Sequence, residues 1–351
     1  KKVIFDIDGV LLSEKRYFDD RLTLWEWYNS PLYMGLSREP VRPDPSEEEI
    51  RDLRARYWKD DEILQWLKGH GVNDNWDMVH AHIFVTLWLM LEQYAATTGQ
   101  IRRLSFDTLR GVRLAGIFLR NCDMPTAGDV LDVLKDTVPD GASKDQVFEY
   151  LGKAAGESKG GQALVPYASL DSPLWHLHVD CFQNWYFGDD LYRETYGKEP
   201  DNPGKKGFLT NEDPLAAPED IRHLFQELST VHDIAIATGR SRREMEIPFR
   251  HYGWYDEFDP LYISTSTDVD EAAALLHRSL DKPNPFAYYL GAFGHYPERY
   301  ADYADHPDQF KQDLLRRRRL PGRRMVRQKP WASSMIGTLN RPRRPEAVPV
   351  E

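Results

Sequence analysis

A doubly wound, parallel-sheet α/β core carrying an inserted all-helical domain is the fold class the sequence predicts. Three observations predict it. A short apolar run rich in β-branched residues opens the chain, strand-and-helix units return only after residue 204, and helical patterns fill the residues between.

Lys2-Val3-Ile4-Phe5 has no helical period and stops abruptly at Asp6, which reads as a buried parallel strand. Helical patterns follow. Ser46 with Glu49 forms a capping box ahead of Ile50 and Leu53, and Ser143 with Gln146 forms another ahead of Val147 and Leu151. Further helices are expected over 76–94, 106–119, 130–138 and 174–186, divided by Gly-, Pro- and Asp-rich breaks. Beyond Asn202-Pro203-Gly204 a helix over 218–228 leads into a strand over 234–237, the turn Thr238-Gly239-Arg240, and a helix starting near Ser241. A third strand is expected over 261–265, with helices over 269–280 and 286–293. The division is therefore 1–14 with 205–351 as the core, and 15–204 as an insert over the carboxyl edge of the sheet. Ligands of open α/β sheets bind at that edge.

Composition narrows the function. With 351 residues, 45 Lys+Arg against 56 Asp+Glu, 41% hydrophobic and 29% charged, the chain has the balance of a soluble globular protein. Residues 311–351 hold 12 Lys+Arg and 3 Asp+Glu, so the remaining body is strongly acidic. An acidic body repels polyanions, and the Arg316–Arg319 run lacks interleaved aromatics, so no nucleic-acid partner is expected. The longest apolar stretch, 83–91, is far below the roughly 20 residues that cross a bilayer, so no membrane partner is expected either. Cys122 and Cys181 give no disulfide framework, and the first apolar run is too short for a signal peptide, which together point to the cytoplasm.

Three polar clusters fall at strand ends or helix starts. Asp6 and Asp8 stand where the first strand runs out, and close carboxylates are costly unless a cation joins them. Magnesium, which takes hard oxygen ligands and bridges carboxylates to phosphate, is the natural candidate; the ordinary reading is an acidic turn that ends a strand. Thr238-Gly239-Arg240 offers a hydroxyl, a flexible N–H and a helix start, which together suit a phosphate, while the ordinary reading makes Thr238 the cap of the next helix. Lys282 is held between Asp281 and Pro283-Asn284-Pro285, where a fixed ammonium could neutralise a carboxylate and a phosphate oxygen.

Together these clusters resemble the motifs of the haloacid dehalogenase superfamily of phosphatases and related hydrolases. Asp6-Ile7-Asp8-Gly9-Val10-Leu11 is similar to the first motif, Ile236-Ala237-Thr238-Gly239-Arg240 to the second, and Lys282-Pro283-Asn284-Pro285 to the third. The resemblance implies a Rossmann-like core with a helical cap after the first motif. It implies a magnesium-dependent phosphatase acting on a small phosphorylated metabolite, with catalytic residues Asp6, Asp8, Thr238 and Lys282. Asp6 would be the nucleophile that forms an aspartyl-phosphate, and Asp8 the general acid and base. Thr238, Gly239 and Lys282 would bind the phosphoryl oxygens, and the Asp6 carboxylate with the Asp8 backbone carbonyl would hold Mg²⁺.

One departure is plain. The family's fourth motif, an acidic strand end of Gly-Asp-x-x-x-Asp type, has no counterpart, and its place is taken by basic residues around Arg323-Arg324. Met335-Ile336-Gly337-Thr338-Leu339 nevertheless resembles the strand after that motif, so residues 316–334 read as a frameshifted segment or a lost motif, which resequencing the gene decides. A catalytically silent scaffold and a sugar-phosphate mutase are therefore the alternatives to a phosphatase.

The insert suits a lid that selects substrate, or a homodimer surface. Its richest polar and aromatic cluster is Trp175, His176, His178, Asp180, Trp185 and Tyr186, for which aromatic packing with two solvated histidines is the ordinary reading. His80 and His82 lack ligand spacing for zinc, and the stripe Phe84, Trp88 and Leu91 reads as packing.

Overall fold

The computed structural model describes residues 2–13, 18–37, 39–100, 104–210, 212–278, 280 and 284–310. They fall into two compact units, one of 2–13 with 209–310 and the other of 18–208.

The first unit begins with β1 (Lys2–Phe5). The second unit is helical throughout: α1 (Phe18–Asn29), α2 (Glu47–Trp58), α3 (Glu62–Gly69), α4 (Asn75–Thr98), α5 (Leu109–Leu119), α6 (Ala127–Thr137), α7 (Lys144–Glu157) and α8 (Pro173–Tyr196). The chain then returns to the first unit with α9 (Pro218–Ser229), β2 (Asp233–Ala237), α10 (Arg242–His251), β3 (Ile263–Ser264), α11 (Ser266–Leu276), α12 (Phe286–Phe293) and α13 (Tyr300–Asp305).

Local chemistry explains the helix starts. The Ser46 amide donates to Glu49 Oε2 at 2.8 Å while the Glu49 amide donates to Ser46 Oγ at 3.3 Å, closing both orphan donors of α2. Ser143 donates in the same sense to Gln146 Oε1 at 2.9 Å ahead of α7. The helix predicted over 174–186 runs to a kink at Gly188, whose φ 75° and ψ 170° lie outside the helical region and interrupt it; a second helical stretch then reaches Tyr196, and the two are labelled together as α8.

The doubly wound, Rossmann-like core predicted from the sequence is not what the described residues form. Among the described residues the protein is mostly helical, and their sheet has three parallel strands in the order β1-β2-β3. Strand order that follows chain order contains no reversal, so the described residues contain no switch point between two wound halves. The predicted third strand shrinks to two residues, because Pro260–Tyr262 coils into a 3₁₀ turn stabilised by the Asp259 carboxylate, which accepts the Leu261 N–H at 3.0 Å. Among the described residues β1 pairs with β2 alone and is half-buried, whereas β2, flanked on both sides, is buried from Ile234 to Ala237. The strand candidate at 335–339 lies outside the described residues.

Each unit has its own core. Ile7, Leu12, Phe225, Ile236, Phe249, Trp254 and Phe258 pack around the sheet, with α9 and α12 against β2. The helical unit packs around Trp27, Trp58, Phe84, Phe106 and Trp185, all buried. Among the described residues no helix is long and apolar enough to cross a membrane, and Cys122 and Cys181 are free thiols.

Candidate functional site

The first unit gathers its polar residues at the carboxyl ends of β1 and β2. Phe5 pairs with Ile236 in the parallel register, so Asp6, one residue on, and Thr238, two residues on, leave adjacent strands side by side. The loop after β1 is wound around one carbonyl. Ile7 O accepts the N–H groups of Val10, Leu11 and Leu12 at 3.2, 2.9 and 3.1 Å, and Gly9 closes the turn with φ 69°. Asp6 Oδ1 accepts the Ile7 N–H at 2.8 Å, which fixes its carboxylate close to the backbone.

Asp8 is held differently. Arg240 Nη2 donates to Asp8 Oδ1 at 2.6 Å and Nε lies 3.1 Å and 3.2 Å from the two oxygens. The same guanidinium reaches Glu212 through Nη1 at 2.7 Å and Nη2 at 3.0 Å. The cation that joins Asp8 to a second carboxylate is therefore a buried arginine, a pairing the sequence reading did not foresee. Nothing in the primary structure places Glu212 beside Asp8; only the apolar run before Thr238-Gly239-Arg240 hinted that Arg240 would stand at a strand end.

Thr238 is 1% exposed. Its N–H donates to Ser264 O at 2.9 Å, and its hydroxyl accepts the Arg240 N–H at 3.2 Å. The helix cap is Ser241, whose N–H donates to Glu244 Oε2 at 2.7 Å and whose hydroxyl accepts the Glu244 N–H at 3.3 Å. Thr238 is thus released from capping, and a Cβ built on Gly239 would meet nothing within 4 Å, so there is open space beside it. Asp6, Asp8 and Thr238 are brought to one edge. Lys282 and residues 316–334 lie outside the described residues.

In the helical unit the predicted cluster disperses. His176 is half-buried and lies 2.9 Å from the Asp171 carboxylate, whereas His178 is fully buried rather than solvated. Its Nδ1 lies 3.0 Å from Nδ1 of His80, and its ring meets Trp27 edge-on at 4.3 Å. Trp175 Nε1 donates to Asp77 at 2.7 Å, and Trp185 is core. An open groove of about 720 Å³ is lined by Phe148, Val165 and Leu170. Its charged rim, Asp145, Glu149 and Asp171 against Lys153, would repel a phosphate ester.

Burial pushes His80 and His82 down to about 4 and His178 well below its ordinary value of 6.5. Unfolding lets all three take up protons, so their contribution to stability falls as the pH drops from 6.5 towards 4. Asp20 and Asp77, raised to about 6 chiefly by burial, bind protons in the folded state and offset part of the loss between pH 6 and 3.8. Three histidines against two carboxyls leave a net loss of stability as the pH falls over that range. Urea unfolding followed by tryptophan fluorescence at pH 7 and pH 5 checks this; stability that rises towards pH 5 contradicts it.

No protein-family model matches the chain, and no curated protein matches it. A crystal structure determined as a structural genomics target, described without an activity, is similar in fold with a TM-score of 0.71. It shares 29% identity over 87% of this chain and 80% of its own length.

Proposed function

We propose that the protein is a hydrolase of small phosphomonoesters that works through an aspartyl-phosphate on Asp6. The observation that supports the reading is the parallel pairing of β1 with β2, in whose register Asp6 and the Thr238 turn follow the carboxyl ends of adjacent strands. A nucleophile at one strand end and a phosphate cradle at the next is the arrangement that in-line transfer needs. The motif resemblance at Asp6, Asp8 and Thr238 supports the same chemistry.

Asp6 attacks phosphorus, the P–O bond to the alcohol breaks, and Asp8 gives a proton to the departing oxygen. Water then attacks phosphorus, Asp8 takes up its proton, and inorganic phosphate leaves with Asp6 restored. Thr238 and Gly239 receive the phosphoryl oxygens at the turn after β2.

The donor set suits Mg²⁺ in kind, since the Asp6 carboxylate and the Asp8 backbone carbonyl are hard oxygens and a substrate phosphate supplies another. The Asp8 carboxylate and Glu212 are both ion-paired with Arg240. Among the described residues no three His, Cys, Asp or Glu side chains converge on one point. When bound, the ion neutralises charge on the phosphoryl oxygens.

Hydrolysis of 4-nitrophenyl phosphate with and without magnesium tests the reading. Release of nitrophenol that requires the metal supports it. Absence of turnover by protein verified against its gene would favour the silent scaffold, and a phosphate that moves within a sugar instead of reaching water would favour the mutase.

A further inference from the structure

We infer that Arg240 is a positioning residue that aims the Asp8 carboxyl, and that Glu212 anchors Arg240 for this task. The inference rests on the phosphatase reading and deepens it. Arg240 is only 7% exposed, and both edges of its planar guanidinium are used, one on Asp8 and one on Glu212. Nη1 also lies 3.3 Å from the carbonyl of Glu244. A planar fork with fixed donors constrains the angle of a carboxylate as well as its distance, which a lysine cannot do.

The backbone of Arg240 is pinned as firmly as its side chain. Its N–H donates to the Thr238 hydroxyl, and its carbonyl accepts the Ser266 N–H at 2.8 Å, so it is tied to the turn after β2 and the start of α11. Glu212 is pinned in turn. Tyr252 Oη donates to the Glu212 carbonyl, the neighbouring Asp213 carbonyl accepts the Ser13 N–H at 2.7 Å, and the Leu215 N–H donates to Leu11 O at 3.0 Å. The segment that returns to the sheet is thereby laced to the segment that follows Asp8. Glu212, Arg240 and Asp8 form one relay of fixed parts, whose product is the direction of a single carboxyl group.

Aim matters only where a proton must be delivered. Phenolate is a poorer leaving group than nitrophenolate and depends more on the acid, so the ratio of the two esters reads the aim of Asp8 separately from general damage. Arg240→Gln is expected to lower kcat/KM for phenyl phosphate at least about tenfold more than for 4-nitrophenyl phosphate, and Asp8→Asn is expected to shift the ratio in the same direction. Arg240→Lys is expected to recover little of the ratio, and Glu212→Gln to shift it in the same direction by less. Equal losses on both esters overturn the inference and leave the phosphatase reading standing. If Arg240→Gln does not fold, an unchanged ratio in Glu212→Gln overturns it. Wild-type protein that cleaves only the nitrophenyl ester also overturns it, and wild-type protein that cleaves neither ester removes the phosphatase reading and the inference together.

Discussion

Asp6→Asn is expected to lower phosphomonoester turnover by at least about 10⁴-fold, the order of loss seen when a covalent nucleophile is removed. The amide keeps the volume and one acceptor oxygen, so the Ile7 N–H stays bonded and the loop around the Ile7 carbonyl is undisturbed. What disappears is the charge that attacks phosphorus. The loss should therefore fall on kcat, with an unfolding midpoint close to that of the parent. Steady-state kinetics beside a urea titration separates the two effects, and a variant that turns over within tenfold of the parent would exclude Asp6 as nucleophile.

Glu26→Ala is expected to destabilise the helical unit by about 3–5 kcal/mol, because it strands a buried ammonium. Glu26 and Lys205 form an ion pair at 3.1 Å with side chains 0% and 2% exposed. Lys205 Nζ also donates to Asn184 Oδ1 at 2.6 Å and Asn202 O at 2.7 Å, beneath the Trp185 ring at 4.8 Å. Asn202 and the Cys181 thiol turn their hydrogens to Glu26. Without Glu26 the ammonium keeps two neutral acceptors and loses its counter-ion. Replacing both partners by apolar residues, Glu26→Leu with Lys205→Met, should restore much of the loss, since no buried charge is then left. Urea unfolding of the single and double variants measures the difference; a double variant no more stable than Glu26→Ala would show that packing, not charge, dominates there.

Much of the fold was legible because its signals are local. The box of Ser46 and Glu49 marks α2, the apolar run Phe286–Phe293 forms α12 over the same residues, and the run before Asp6 becomes β1. The doubly wound core was not legible, since it extends the pattern of three short strands to a larger sheet. Alternation and apolar runs tell where a strand is, but not how many neighbours join it. Leu261 and Tyr262 look strand-like, yet Asp259 and Pro260 bind them into a turn.

At the candidate site, the positions of Asp6, Asp8 and Thr238 were legible because each sits within a residue or three of a recognisable strand end. Glu212, Lys205 and the His80–His178 contact could not. Their partners are far away in sequence, and a lone glutamate or histidine carries no sign of the residue it will meet. Ser241 shows the same limit on a smaller scale. Thr238 and Ser241 are both good caps on propensity, and only the reciprocal bonds with Glu244 decide between them.

The most direct test of the central claim is to trap the phosphoryl group. Substrate labelled with radioactive phosphorus is mixed with the full-length protein, quenched in acid within a turnover, and the protein is digested and mapped. The account predicts label on the peptide that contains Asp6, lost on treatment with hydroxylamine and absent from Asp6→Asn. Steady hydrolysis with no label on the protein, or label on a peptide that lacks Asp6, would contradict it.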